Sequence, residues 1–205
     1  MRPTHLESDV FKFHLRALVD ANLVVKNDDG SYSLTATGKE FANNVDDETG
    51  LRSQSPKVSM LLVVRRQIDG ETKYLFQQRQ RSPFYGYWGL ISGPVAWGVA
   101  IETAAHDELV KQSGLSASFR VQGFCRVRDY TADSQTLLED KLFAIVVASA
   151  DKDELRPWQG GTSQWMTVDE LAFQPKHFDL TEKVLSNIGT APYFEVRTAY
   201  FQDSY

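Results

Sequence analysis

Two kinds of hydrophobic spacing alternate between residues 57 and 188. Residues 58–65 are strongly apolar and β-branched, and residues 73–78 alternate apolar with polar. The Asp69-Gly70 pair between them predicts a hairpin. Residues 85–91 form an aromatic-rich strand candidate. In residues 100–113, Ile101, Ala104, Ala105 and Leu109 recur at helical spacing, and Gly114 follows as a left-handed cap with Leu115 packing back onto the helix. Further strands are predicted over residues 119–127, 141–148 and 164–167, and helices over 168–173 and 179–188. Alternating strands and helices of this kind predict an α/β fold, a mixed sheet with helices on both faces.

The first 46 residues read differently. Ser8 is placed to cap a helix over residues 9–21, with Val10, Phe11, His14, Leu15 and Leu18 on one face. Residues 23–26 and 31–34 flank a turn at Asn27-Asp28-Asp29-Gly30, which makes a small hairpin. A second helix is predicted over 35–45. Residues 47–56 have the polar composition of a linker, the larger domain spans 57–190, and 191–205 are expected to be a C-terminal tail.

Composition narrows the functions available. The 205 residues carry a formal net charge of −5, which does not favour nucleic acid or an anionic membrane surface as partner. Five basic and nine acidic side chains give residues 1–50 a net charge of −4, so this segment opposes phosphate contact and DNA is not the expected partner. The single cysteine, Cys125, provides no disulfide framework and suits a reducing, cytoplasmic setting. No apolar run is long enough to cross a bilayer, and the first residues lack the apolar core of a secretory signal.

The segment from Gly93 to Leu115 carries the chemistry. It reads G-PVAWG-V-AIETAAH-D-E-L-V-K-Q-S-G-L and resembles the box of the Nudix hydrolase superfamily, G-x5-E-x7-R-E-U-x-E-E-x-G-U with U a bulky aliphatic. Gly93, Glu108, Leu109, Gly114 and Leu115 match, and Gly98 matches a glycine common in the family's loop. The first box glutamate is Val99 here, the arginine is Asp107, and the paired glutamates are Lys111 and Gln112. The flanks "FQQRQRSPFYGYWGLISG", "LLEDKLFAIVV" and "SQWMTVDEL" extend the resemblance over most of residues 57–188. It implies a Nudix-type α/β/α sandwich, with Gly93 and Gly98 in the loop entering the 100–113 helix. Residues 1–46 are similar to a partial winged helix-turn-helix, ordered helix, two-stranded wing, helix.

The resemblance also says what the substitutions remove. Nudix enzymes hydrolyse a diphosphate linked to another group, using divalent cations to neutralise charge and generate hydroxide. Residues 108, 111 and 112 share one helix face, where an active member would present three carboxylates. Glu108, Lys111 and Gln112 form a poor cation site, so no metal or cofactor is expected, with Glu108 the only remnant ligand. The expected function is a Nudix protein with weak or no pyrophosphohydrolase activity, binding a nucleotide-like ligand or a protein partner. The alternative is a Mg²⁺- or Mn²⁺-dependent hydrolase with a substitute site from Glu108, Glu139 and Asp140, the last two in a loop before a strand. Arg79, Arg81 and Lys111 are the candidate phosphate contacts and Tyr85 the candidate stacking face. Trp88 is expected in the core, Trp97 partly exposed over the old site, His106 and His177 on the surface, and Cys125 half-buried in a strand. A homodimer is a further possibility.

Overall fold

The computed structural model describes residues 8–45, 55–151 and 154–201. The chain divides into two compact units, residues 1–55 and 56–205.

In the first unit, α1 (Ser8–Asp20) leads into the hairpin β1 (Val24–Lys26) and β2 (Tyr32–Leu34), followed by α2 (Ala36–Asn43). The order is the expected one. Gly30 has φ +84° at the hairpin turn, where its amide donates to the Asn27 carbonyl. Thr35 caps α2 by accepting from the Gly38 amide, and a Cβ on Gly38 would meet the Leu23 carbonyl oxygen at 1.8 Å. That contact lets α2 lie directly on the start of the hairpin. The predicted apolar face of α1 is not a buried one: Val10, Phe11, His14 and Leu18 are exposed, and only Leu15 of that set is half-buried. The Ser8 side chain and most of the 47–56 linker lie outside the described residues.

The second unit is built on β3 (Lys57–Ile68), β4 (Glu71–Arg79), β5 (Trp88–Pro94), α3 (Ile101–Ser113), β6 (Arg120–Thr131), β7 (Leu137–Ser149), β8 (Gly161–Met166), α4 (Val168–Ala172), α5 (Asp179–Asn187) and β9 (Tyr193–Tyr200). Seven strands form one mixed sheet in the order β8-β4-β5-β3-β7-β6-β9, with β4 also pairing to β3. The β3–β7 and β6–β9 pairs are parallel and the rest antiparallel.

The near-continuous apolar run of β3 follows from its central position, because successive side chains point to opposite faces and both faces are covered. Met60, Leu62 and Val64 meet Ala104, Ala105 and Leu109 of α3 on one side. Leu61 and Val63 join Val127, Phe143, Ile145 and Val184 on the side of α5. The result is the expected α/β/α arrangement, an open sheet between helices.

Several strand boundaries shift from the sequence expectation, and three of the differences bear on the site. Gly93 lies within β5, opposite Met60 of β3, not in the entering loop. Glu139 and Asp140 lie inside β7, not in a turn before it, because β6 continues to Thr131 and its last residues find partners there. The expected tail from 191 supplies an edge strand: Phe194, Val196, Thr198 and Tyr200 alternate inward with exposed neighbours, and the strand runs parallel to β6.

Candidate functional site

Helix α3 fixes the first part of the site. Its C-terminus is closed by Gly114 at φ +76°, whose amide donates to the Val110 carbonyl at 2.9 Å. A Cβ on Gly93 would sit 2.5 Å from Glu108 Cγ. The glycine therefore lets the helix press the Glu108 side chain flat against β5. Glu108 is held there by two donors. Gln112 donates to Glu108 Oε1 at 2.7 Å and to the Ser92 carbonyl at 2.9 Å. Lys111 Nζ donates to Oε1 at 2.9 Å and to Oε2 at 3.3 Å. Gln112 is fully buried, whereas the Lys111 side chain is 59% exposed.

A cavity opens under the start of α5 and reaches Gln112 of α3, the residue that donates to Glu108. Its floor comes from cross-strand neighbours: Asp129 of β6 stands opposite Glu139 of β7 and Thr198 of β9, so all three share one face. Glu139 is ion-paired with Lys141, two residues along the same face of β7. Asp129 is 7% exposed, and its Oδ1 has no hydrogen-bond partner among the described residues. Burial first, and the Glu139 charge second, push its carboxyl up to about 6, partly offset by Lys141.

Arg79, at the end of β4, and Arg81 line the same cavity. Arg79 Nε donates to the Pro83 carbonyl at 3.0 Å. Its guanidinium is held below its ordinary pKa, by burial first and by the Arg81 charge second. Arg81 lies over the Trp158 ring at 5.2 Å. An aromatic wall completes the enclosure. Phe84 packs edge-on against Phe178 at 5.2 Å and Tyr200 at 4.8 Å. Phe84 is itself at φ +65°, a conformation a side chain rarely adopts, and this turns its ring into the enclosure.

The NUDIX domain family model matches residues 56–187. This chain belongs to the Nudix family. Among solved structures, the Nudix unit is similar to the MutT protein of Bacillus halodurans, with a TM-score of 0.56, 14% identity, and 73% of this chain and 93% of that chain covered. It is also similar to the NUDIX domain of Shewanella oneidensis NrtR, determined in complex with ADP ribose, with a TM-score of 0.54, 17% identity, and 75% and 99% coverage. A NUDIX hydrolase of Nitrosomonas europaea follows at a TM-score of 0.50, 18% identity, and 65% and 88% coverage. Likeness at these identities concerns the fold. No curated protein matches the sequence.

The Nudix scaffold brings some of the expected residues together and separates others. Arg79, Arg81 and Glu139 converge on the cavity. Lys111 does not line it, because its ammonium turns back to Glu108, and Glu108 does not line it either. Asp140 follows Glu139 in an extended strand and so points to the opposite face, where it accepts two bonds from Arg126 at 3.0 and 2.7 Å. Those bonds hold its carboxyl below the usual range. The set Glu108, Glu139 and Asp140 is therefore not assembled at one point. Among the described residues no three His, Cys, Asp or Glu side chains gather as a metal site.

Tyr85 is 65% exposed and does not line the cavity; its neighbour Phe84 does, because the positive φ turns the preceding residue inward instead. Trp88 is in the core as expected. Trp97, in the loop between β5 and α3, is 89% exposed and does not line the cavity. His106 Nδ1 lies 3.1 Å from the Ala117 carbonyl and His177 Nδ1 2.9 Å from that of Gln174. Cys125 is fully buried, more than the expected half, and burial pushes its thiol up to about 12.

Asp129, Phe178 and Tyr200 are among the cavity residues that sequence reasoning missed. A signal existed for the first and the last. Asp129 continues the i, i+2 series Cys125, Val127 on the inward face of β6, and Tyr200 continues Val196 and Thr198 on β9.

Proposed function

We propose that this Nudix protein binds a nucleoside diphosphate-linked ligand in the cavity under α5 and hydrolyses it weakly or not at all. The observation that carries the reading is the closure of Glu108. Its carboxylate already accepts from Lys111 and Gln112. A divalent cation such as Mg²⁺ prefers several hard oxygen ligands, and an ammonium, an amide and one neutralised carboxylate do not fit it. Instead, Arg79 and Arg81 supply positive charge at the cavity, and their guanidiniums disfavour one another. A diphosphate relieves that repulsion and accepts hydrogen bonds from both side chains. The ADP ribose held by the NrtR NUDIX domain is a ligand of the same chemical class and supports the choice.

The hydrolase alternative loses support from side-chain pairing. Glu139 is neutralised by Lys141, and Asp140 by Arg126 on the far face. The protein is expected to act in the cytoplasm, with a homodimer as a possible assembly.

Calorimetry with ADP-ribose, first in EDTA and then in Mg²⁺, tests the reading. Binding of micromolar to millimolar strength is expected in both, on the order of −4 to −8 kcal/mol. Arg79→Ala should weaken it about tenfold, as expected for a lost bond between charged partners. Binding that appears only with Mg²⁺ would contradict the reading. So would rapid Mg²⁺-dependent turnover of ADP-ribose, nucleoside triphosphates or dinucleoside polyphosphates that Glu108→Gln abolishes.

A further inference from the structure

We propose that Asp129 selects the ligand's ring, accepting a hydrogen bond from the amino-bearing edge of a nucleobase seated against the aromatic wall. The inference rests on the binding reading above and specifies which part of the ligand the far end of the cavity takes.

The starting point is an unsatisfied buried atom. Asp129 is 7% exposed, faces the cavity, and leaves Oδ1 without a partner among the described residues. Native structures leave few buried polar atoms in this state, since the lost solvation is not recovered. The neighbouring carboxylate differs: Glu139, directly across on β7, has its own cation in Lys141. On the other side, β9 offers Thr198 and Tyr200, neither of which hydrogen-bonds this oxygen. A ligand seated in the cavity can supply the donor that these neighbours do not.

The surroundings restrict what the donor can be attached to. Phe84 packs against both Phe178 and Tyr200, and the three rings line the same space, which favours a flat ring over a flexible chain. An ionised carboxylate accepts and never donates. It therefore favours a ring edge carrying an exocyclic amino group, as in adenine, guanine or cytosine. The uracil edge is a worse match, because its one N–H lies between two carbonyl oxygens that repel a carboxylate. With Arg79 and Arg81 holding the diphosphate of the same molecule, the base is the ring that remains.

The test compares ADP, UDP and inorganic pyrophosphate by calorimetry in EDTA, on the wild-type chain and on Asp129→Asn. Wild type is expected to bind ADP about tenfold more tightly than UDP, the effect of one hydrogen bond to a charged group. Asp129→Asn, of the same shape, should reduce that preference to within twofold and leave pyrophosphate unchanged. Pyrophosphate reports on the arginine end alone, so the two readings fail separately. If pyrophosphate binds but wild type takes ADP and UDP equally, the base-selection inference is overturned and the binding reading stands. A parallel loss of all three ligands in Asp129→Asn also overturns it, since that marks a structural role. An effect of the substitution seen only with Mg²⁺ present overturns it in favour of a cation ligand. If none of the three binds to wild type, both readings fall.

Discussion

A methyl group at Gly93 would lie 2.5 Å from Glu108 Cγ, and the helix cannot retreat without opening the core around Leu109. Gly93→Ala is therefore expected to destabilise the domain by about 1–3 kcal/mol, the usual cost of overpacking. Thermal melts should show the loss, and adding Glu108→Ala should restore most of it, a coupling that a double-mutant cycle measures directly. Asp129 makes the opposite kind of prediction. Its folded carboxyl titrates near 6 against an ordinary value of 3.8. Between those values the folded state holds a proton that the unfolded state has released, so stability rises as pH falls through that window. Above about pH 6 the penalty of the buried charge is present in full. Asp129→Asn should then melt a few degrees higher than wild type at pH 7.5, about 1 kcal/mol, with the gap closing toward pH 4. A variant that gains stability while losing base preference would fit a residue kept for its ligand.

Among the elements, α3 was the most legible, because its apolar spacing, the left-handed glycine after it and the packing of Leu115 all agree. Lys111 and Gln112 stand three and four residues after Glu108, so the spacing alone puts them on its helix face, where both donate to its carboxylate. The strand ends were less legible. Glu139 and Asp140 look like a charged turn in one dimension; their register opposite Asp129 and Arg128 of β6 makes them part of a paired ribbon with one face turned into the cavity. Partners distant in sequence decide such placements, and local spacing does not contain them. β9 was missed for the same reason, since its pairing partner lies some seventy residues earlier. Its contribution is open to test through Val196, which is buried in the cluster beneath α5. Val196→Asp should place an unpaired charge there and destabilise the domain by several kcal/mol. Urea unfolding would measure it, and Arg197→Ala on the outward face serves as the milder comparison, even with its contact to the Tyr130 ring lost.

For the whole molecule, charge makes a prediction that the order of elements alone would not. Helix, hairpin, helix in the first unit invites a DNA-binding reading, yet residues 1–50 carry a net charge of −4. The full chain is expected to give no shift with duplex DNA at about 150 mM salt, where charge-driven contacts are already weakened. A shift that persists at that salt concentration would contradict the expectation. No helix among the described residues is long and apolar enough to cross a membrane. Within the Nudix unit, β9 closes one side of the cavity with Thr198 and Tyr200, after every other strand of the sheet has been laid down in the sequence. During synthesis on the ribosome the other strands can pair first, but the enclosure is incomplete until Tyr200 has left the exit tunnel. A nascent chain that stalls before that point, or one clipped there by a protease, would retain most of its sheet and still be unable to grip a ligand.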